Sequence, residues 1–261
     1  MTRMPTLFVS HGSPMLAITD SPAHRYLQQL GKTLPRPQAI VMLSAHWEAI
    51  GGPAVSLTAT PETIHDFGGF PPALYDIQYP APGAPAIAEQ AAALLEQAGH
   101  AVKRSSTRGL DHGAWVPLSL MYPDADIPTL QVSVLRGQGA VEHERLGRAL
   151  APLREQGVLI IGSGSLTHNL YEFRGQDIDT PPPAWVREFS DWMTTKLLNG
   201  ERAALLDYRR QAPFAARNHP TEEHLVPLFA ALGAAGDAAS TRHLHSSYEY
   251  EILAMDAYAF D

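Results

Sequence analysis

The sequence predicts a single α/β domain over residues 1–261, with a mostly parallel or mixed central sheet flanked by helices. Three observations support this fold. The chain has 261 residues, 45% of them apolar and 18% charged, which suffices for one large core but is short for two domains. Short apolar runs alternate with helical patterns, as in sheets covered by helices on both faces. Neither a repeat nor a low-complexity linker divides the sequence.

Six short apolar runs, each closed by turn or polar residues, predict the strands. Strands that are buried on both faces read as continuous apolar runs rather than as alternating ones. The last of the six runs is the weakest. The predicted strands cover residues 5–10, 39–44, 54–58, 127–135, 158–163 and 241–247.

Helical patterns lie between these runs. Residues 85–98 are rich in Ala, Leu, Glu and Gln and end at Gly99, a typical helix C-cap. Residues 182–198 begin at prolines and repeat aromatic residues at helical spacing. Further helices are predicted over residues 141–155, from about Ala114, and from a cap at Thr221 to Leu232.

Residues 60–85 combine glycine, proline and aromatic side chains without a clear period, which predicts a long ordered loop. Loops of that length inside a compact domain are usually functional. The aromatic residues of the loop would suit the wall of a pocket for an aromatic ring, although ordinary packing explains them equally well. They are Phe67, Phe70, Tyr75 and Tyr79.

The charge and composition of the chain limit the classes of molecule that it is expected to bind. The formal net charge is −8 and no run of Lys and Arg exceeds two residues, which argues against binding to nucleic acid or to an anionic membrane. The N-terminal residues lack the apolar stretch of a signal peptide, and no segment is long and apolar enough to cross a bilayer. We therefore expect a cytoplasmic protein whose partners are small molecules or, in a homo-oligomer, further copies of itself.

The chain contains no cysteine but has 12 histidines. The absence of cysteine excludes disulfides, thiolate nucleophiles, iron–sulfur clusters and thiolate zinc sites. Any metal must therefore be bound through nitrogen and oxygen atoms.

Histidines follow three of the predicted strands. His11 and His46 come directly after the runs at 5–10 and 39–44, and His168 lies a short loop after 158–163. His224 stands near the start of a predicted helix. Ligands of open α/β sheets bind beyond the carboxyl ends of the strands, and imidazole is the commonest metal ligand. The pattern predicts a metal site at this edge, with ordinary hydrogen-bonded histidines as an equally strong alternative.

Other polar residues allow two interpretations each. His112, before a predicted helix, could bind a substrate oxygen or cap the helix. The glycines of residues 162–165 would let the backbone approach the site closely, since the lysine of a P-loop and the spacing of a dinucleotide fingerprint are missing. Glu222 and Glu223 are interpreted as partners of a helix dipole rather than as metal ligands. Three further histidines are predicted to be solvated: His24, His100 and His143.

Eight short stretches form an ordered set between about residue 5 and residue 230. They are residues 10–14 (SHGSP), 44–47 (SAHW), 65–71 (HDFGGFP), 79–83 (YPAPG), 109–113 (GLDHG), 122–128 (YPDADIP), 164–170 (GSLTHNL) and 220–224 (PTEEH). In this set the chain resembles the class III extradiol ring-cleavage dioxygenases, in particular their 4,5-DOPA dioxygenase-like branch.

The resemblance implies a single domain that binds one divalent metal and inserts O2 next to the diol of a catechol. His11, His46 and His224 would match the metal ligands, and His112 would match a residue that lines the substrate pocket. His168 would match a histidine that acts as an acid and base or as a further metal ligand. A catalytic histidine suits proton transfer near neutral pH.

The metal itself stays open at this point. Fe(II) is expected for dioxygenase turnover, but relatives that cleave protocatechuate have a glutamate where this chain has His224. An all-histidine site suits Zn(II) equally well. A zinc-dependent hydrolase on the same scaffold and a catalytically silent metal-binding protein are therefore the two alternatives.

Overall fold

The strands of the chain were located in a computed structural model that describes residues 3–261. Half of them form one central sheet, and the remainder form short two-stranded pairs. The strands are β1 (Thr6–Ser10), β2 (Ala39–Ser44), β3 (Glu48–Ala49), β4 (Ala54–Ser56), β5 (Lys103–Ser105), β6 (Thr129–Gln131), β7 (Val134–Leu135), β8 (Val158–Gly164), β9 (Thr241–His245), β10 (Tyr248–Glu249), β11 (Leu253–Ala254) and β12 (Ala257–Phe260).

The central sheet has six strands in the order β6-β2-β8-β1-β12-β9. The first four are mutually parallel, whereas β12 runs antiparallel to both β1 and β9. Every residue of β1, β2 and β8 is buried, because helices cover both faces of the sheet. The predicted mixed, mostly parallel α/β sheet is thereby confirmed.

Ten α-helices and three short 3-10 helices surround the sheet within residues 3–261. The α-helices are α1 (Pro22–Thr33), α2 (Pro72–Tyr75), α3 (Pro85–Gln97), α4 (His112–Met121), α5 (Ala140–Leu150), α6 (Ala184–Leu198), α7 (Arg202–Leu206), α8 (Tyr208–Gln211), α9 (Ala215–Asn218) and α10 (Val226–Ala235). The 3-10 helices are Pro14–Ala17, Ala151–Gln156 and Leu170–Glu172. Over this part of the chain, every helix is too short or too polar to span a bilayer.

Two predicted elements differ from the structure. The predicted strand at 127–135 is two strands, β6 and β7, because the chain changes partners between them: the Val132 N–H donates to Met42, and the Ser133 N–H donates to Ala54. The last predicted helix begins at Val226 rather than at Thr221. The Thr221 hydroxyl donates to Glu223 and caps no helix, and residues 221–225 form a turn that carries His224.

The predicted solvent exposure of His143 is wrong. The side chain is fully buried, its Nε2 accepts from the Leu135 N–H at 2.9 Å, and its Nδ1 donates to the Gly139 carbonyl at 2.9 Å. His24 and His100 are only partly exposed. The ring of His143 thus serves as the hydrogen-bond partner of two backbone groups inside the protein. The hydrophobic pattern of a helix does not reveal such a role.

Candidate active site

Three histidine rings meet at the carboxyl edge of the parallel strands. His11 follows β1 directly and His46 lies two residues beyond β2, so the parallel arrangement brings them to one edge. The Nε2 atoms of His11 and His46 are 3.0 Å apart, and those of His224 and His46 are 3.3 Å apart. His224 reaches the same point from the turn before α10.

The hydrogen bonds of two rings fix which nitrogen carries the proton. The Ser163 hydroxyl donates its only proton to the Gly113 carbonyl at 2.5 Å, so at 3.0 Å it must accept from Nδ1 of His11. Nδ1 of His224 donates to the Glu223 carboxylate at 3.0 Å. In both neutral rings Nε2 therefore carries a lone pair, and both lone pairs face Nε2 of His46.

Asp66, from the long loop, connects His46 with His112. Its Oδ1 accepts from the backbone N–H and from Nδ1 of His112, at 3.0 and 2.9 Å, and its Oδ2 lies 3.5 Å from Nδ1 of His46. Burial alone would raise the pKa of Asp66, but the hydrogen bonds from His112 hold it at about 2. The carboxylate is thus ionised and favours a proton on Nδ1 of both rings.

Burial keeps the converging rings neutral. Burial, reinforced by the neighbouring imidazoles, lowers the pKa of His11 and of His224 well below the usual value and that of His46 to about 3. Two nitrogens bound at about 2.1 Å to one ion lie roughly 3.0 Å apart at a right angle and roughly 3.4 Å apart at a tetrahedral angle. The separations and the unprotonated Nε2 atoms fit one shared metal ion, and the three residues form a candidate metal site.

Backbone packing holds His224 against strand β8. The Ser165 N–H donates to the His224 carbonyl at 2.8 Å. A Cβ atom at Gly164 would overlap that carbonyl, and one at Gly162 would overlap the carbonyl of Pro227. The interpretation of residues 162–165 as a point of close backbone approach is confirmed.

A buried polar network holds the segment after β2. The Ser44 hydroxyl accepts from the His46 N–H at 3.2 Å and donates to Asp111 at 2.6 Å. Asp111, fully buried, also pairs with Arg108 at 2.5 Å. A Cβ at Gly113 would overlap the Ser44 hydroxyl, so only glycine lets α4 approach this network.

His168 lies beside the three rings but is oriented differently. Its ring stacks on that of His224 with centroids 3.5 Å apart and an angle of 8° between the planes. The parallel stacking sets His168 apart from His11 and His46, whose rings are inclined to that of His224 by 52° and 81°. Burial lowers the pKa of His168 to about 4, which leaves a neutral ring facing the cavity described next.

A cavity of about 520 Å³ opens onto His46, His112, His168 and His224. Its other walls are mostly apolar and come from the loop at 60–85, from the segment after β1, from the segment after His168 and from residues 250–253. Phe67 and Phe70 line it, as expected for an aromatic-binding wall. Tyr75 packs on Phe67 behind this wall, and Tyr79 is buried in the core, which matches the packing alternative.

A second cavity, of about 710 Å³, shares His46 and His224 with the first. Its lining mixes apolar side chains with charged ones, among them Glu48, Arg136 and Arg209. The two rings therefore separate a mostly apolar space from one with charged walls.

The structure brings together every histidine that the strand-end pattern singled out, and it adds three partners that the pattern missed. Ser163, Glu223 and Asp66 each face a ring nitrogen of a converging histidine. The interpretation of Glu222 and Glu223 as helix-dipole partners is wrong, because α10 starts after them and Glu222 accepts from the Tyr208 hydroxyl. Nothing in the sequence around Asp66 marks it as a functional residue, apart from its place in the HDFGGFP stretch at 65–71.

Comparisons with known proteins agree with this geometry. The family described as the catalytic LigB subunit of aromatic ring-opening dioxygenase matches residues 5–260. A 4,5-DOPA dioxygenase extradiol of Beta vulgaris is 42% identical over 98% of this chain and 96% of its own length. One from Escherichia coli K12 is 44% identical over 89% of this chain and 86% of its own.

A solved structure shares the fold as well. The crystal structure of an uncharacterised protein from Escherichia coli K12 superposes with a TM-score of 0.83 at 36% identity. The match covers 99% of this chain and all of that one.

Proposed function

Because this chain belongs to the LigB family and is an extradiol aromatic ring-opening dioxygenase, we propose that it opens a catechol ring at one divalent metal bound by His11, His46 and His224. The observation that carries this proposal is the convergence of their Nε2 atoms, at 3.0 and 3.3 Å, with lone pairs on at least two of them. Unprotonated nitrogens that face one another at these distances favour a cation between them.

We propose Fe(II) as the metal that supports turnover. In this site Fe(II) would bring a catechol and O2 together and let electrons pass between them, which redox-inactive Zn(II) does not do. The same three neutral imidazoles would also bind Zn(II) well, so zinc in the isolated protein would not contradict a dioxygenase.

His168 is proposed as the acid and base. Its ring lies parallel to that of His224, and its low pKa keeps it unprotonated at neutral pH. It would accept a proton from a catechol hydroxyl and return it to an oxygen of the product. His112 would donate to or accept from a substrate oxygen through Nε2, because its Nδ1 is bonded to Asp66.

The substrate is an aromatic catechol-like compound, as the family implies. The relatives from Beta vulgaris and Escherichia coli are named for 4,5-DOPA, and we propose a DOPA-like or related catechol here. A cytoplasmic location and a homo-oligomer stay predictions.

The test is anaerobic reconstitution of metal-free protein with Fe(II) or Zn(II), followed by oxygen uptake with a panel of catechols. We expect Fe(II)-dependent uptake accompanied by a new visible chromophore. His168→Ala should lose turnover by about 100-fold or more while it still binds the metal.

Two outcomes would contradict the proposal. Oxygen uptake that stays absent with iron verified in the site would favour the zinc-dependent hydrolase. If His168→Ala no longer bound metal, its main role would be that of a ligand.

A further inference from the structure

The apolar cavity offers a substrate no fixed charge. The residues that line it are His46, His112, His168 and His224 together with apolar or small side chains. Among the described residues, this lining contains no Lys, Arg, Asp or Glu. A charged substituent that enters the cavity would lose water without gaining an ion pair, which is costly.

The charged side chains next to the lining rings are carboxylates. Asp66 contacts the rings of His46 and His112, and Glu223 contacts the ring of His224. Arg108 reaches only the His46 carbonyl and is already paired with Asp111. The side chains in contact with these rings therefore offer no cation to an anionic substituent.

Apolar surface continues from the cavity to the outside. The lining residues Leu170 and Phe173 are 58% and 44% exposed, and Tyr171 between them is 80% exposed. Exposed apolar residues that cluster at the mouth of a cavity are typical of a surface that binds an apolar ligand. The adjacent Arg174 places its guanidinium on the carbonyls of Tyr171 and Phe173, at 2.5 and 3.0 Å.

From these observations we infer that the preferred catechol carries an uncharged, apolar substituent, such as an alkyl or aryl group, which lies along Leu170 and Phe173. This inference rests on the proposed function, since it assumes that the diol is held at the histidines. Among the DOPA-like and related catechols proposed above, it favours those with an uncharged substituent over those with the zwitterionic side chain of an amino acid.

The first experiment measures binding, so that it does not depend on turnover. Zn(II)-loaded protein is titrated anaerobically with 4-methylcatechol, 4-butylcatechol, 3,4-dihydroxyphenylpropionate and L-DOPA. We expect 4-butylcatechol to bind about 50-fold more tightly than 4-methylcatechol, because three further methylenes are buried, and more tightly than both charged compounds. Equal or tighter binding of the charged compounds would overturn the inference.

Kinetics with Fe(II)-loaded protein separate this inference from the proposed function. The same order is expected in kcat/KM. If no catechol is cleaved while the binding order holds, the proposed function fails and the inference about the cavity survives. If the charged catechols have the higher kcat/KM, the function survives and the inference fails.

Matched variants locate the effect. Leu170→Arg should weaken the binding of 4-butylcatechol and strengthen the binding of 3,4-dihydroxyphenylpropionate, each by about 5- to 10-fold. Leu198→Arg is the control, because Leu198 is 51% exposed but lies on α6 outside the cavity lining; it should change neither affinity. The inference would be overturned if wild-type protein bound 3,4-dihydroxyphenylpropionate more tightly than 4-butylcatechol and Arg174→Gln lost this preference. Arg174 would then bind the anionic group of the substrate.

Discussion

Two groups of histidines occupy opposite parts of the same sheet. On β9, at the antiparallel edge, Nε2 of His243 lies 2.7 Å from Asp256, and Nε2 of His245 lies 2.8 Å from the Ser247 hydroxyl. At the carboxyl edge of the parallel strands, the Nδ1 atoms of His11 and His224 have such partners, but their Nε2 atoms face another ring. A metal site is thus distinguished by ring nitrogens that only a cation can satisfy, rather than by the number of histidines.

The largest effect should follow from removing one converging ring. His11→Ala should lose metal binding by more than 100-fold and lose turnover with it, because two nitrogens remain where three are needed. Metal content after equilibration with Fe(II) or Zn(II) is the measurement.

His243→Gln is the matched control from the other group. A glutamine amide can still donate to the buried Asp256, so the fold should persist and the metal content should stay at the wild-type value. Loss of metal in this variant, or retention of metal in His11→Ala, would remove the distinction between the two groups.

Replacing Asp66, the carboxylate beside the ring of His46, should lower metal affinity by less than the loss of a converging ring does. Asp66→Asn keeps an acceptor for His112 but turns an amide donor toward Nδ1 of His46, which is also a donor. Loss of such a partner typically lowers metal affinity or activity about 10- to 100-fold. A competitive metal titration with a chelator measures this change.

Asp76→Asn removes the same charge from an exposed position of the same loop and serves as the control. Equal affinities of the two variants would mean that the ring of His46 is held by its backbone contacts alone. The contacts of Ser44 and Arg108 with the His46 backbone would then carry the orientation.

The parallel half of the sheet could be predicted from the sequence. Strands β1, β2 and β8 are buried on both faces and therefore appear as unbroken apolar runs. His11 and His46 follow two of these runs, and the rule that ligands bind beyond the carboxyl ends of parallel strands places them together.

The antiparallel half was harder to predict, and the reasons differ between elements. Strand β12 has only four residues and is buried because β1 and β9 flank it, which is a tertiary effect. Strand β9 contains Arg and His and is partly exposed, so its pattern is weak. Helix α1 was not predicted, although Ser21 caps it and its buried residues repeat at helical spacing.

The partners of the rings could not be derived from local sequence. Ser163 meets His11 across 152 positions, and Asp66 meets His112 across 46 positions from a loop without periodicity. Hydrophobic patterns indicate which face of a helix or strand is buried, but they do not indicate which polar side chains contact one another.

The smallest effect concerns His143, a buried ring whose nitrogens both have protein partners. Burial lowers its pKa to about 4, whereas an exposed histidine of the unfolded chain has a pKa of about 6.5. Between these values the unfolded chain binds a proton that the folded protein does not. This contribution to stability is therefore complete above about pH 6.5 and decreases as the pH falls toward 4.

We expect the free energy of unfolding of metal-free wild-type protein to fall, between pH 7.5 and pH 5, by about 2 kcal/mol more than that of His143→Gln. Urea unfolding at the two pH values measures the difference, in which the other buried histidines cancel because both proteins contain them. Parallel pH profiles for wild type and His143→Gln would show that His143 gains a proton in the folded protein as well. Burial with two protein partners would then not keep the His143 ring neutral, unlike the converging rings, whose pKa values burial lowers.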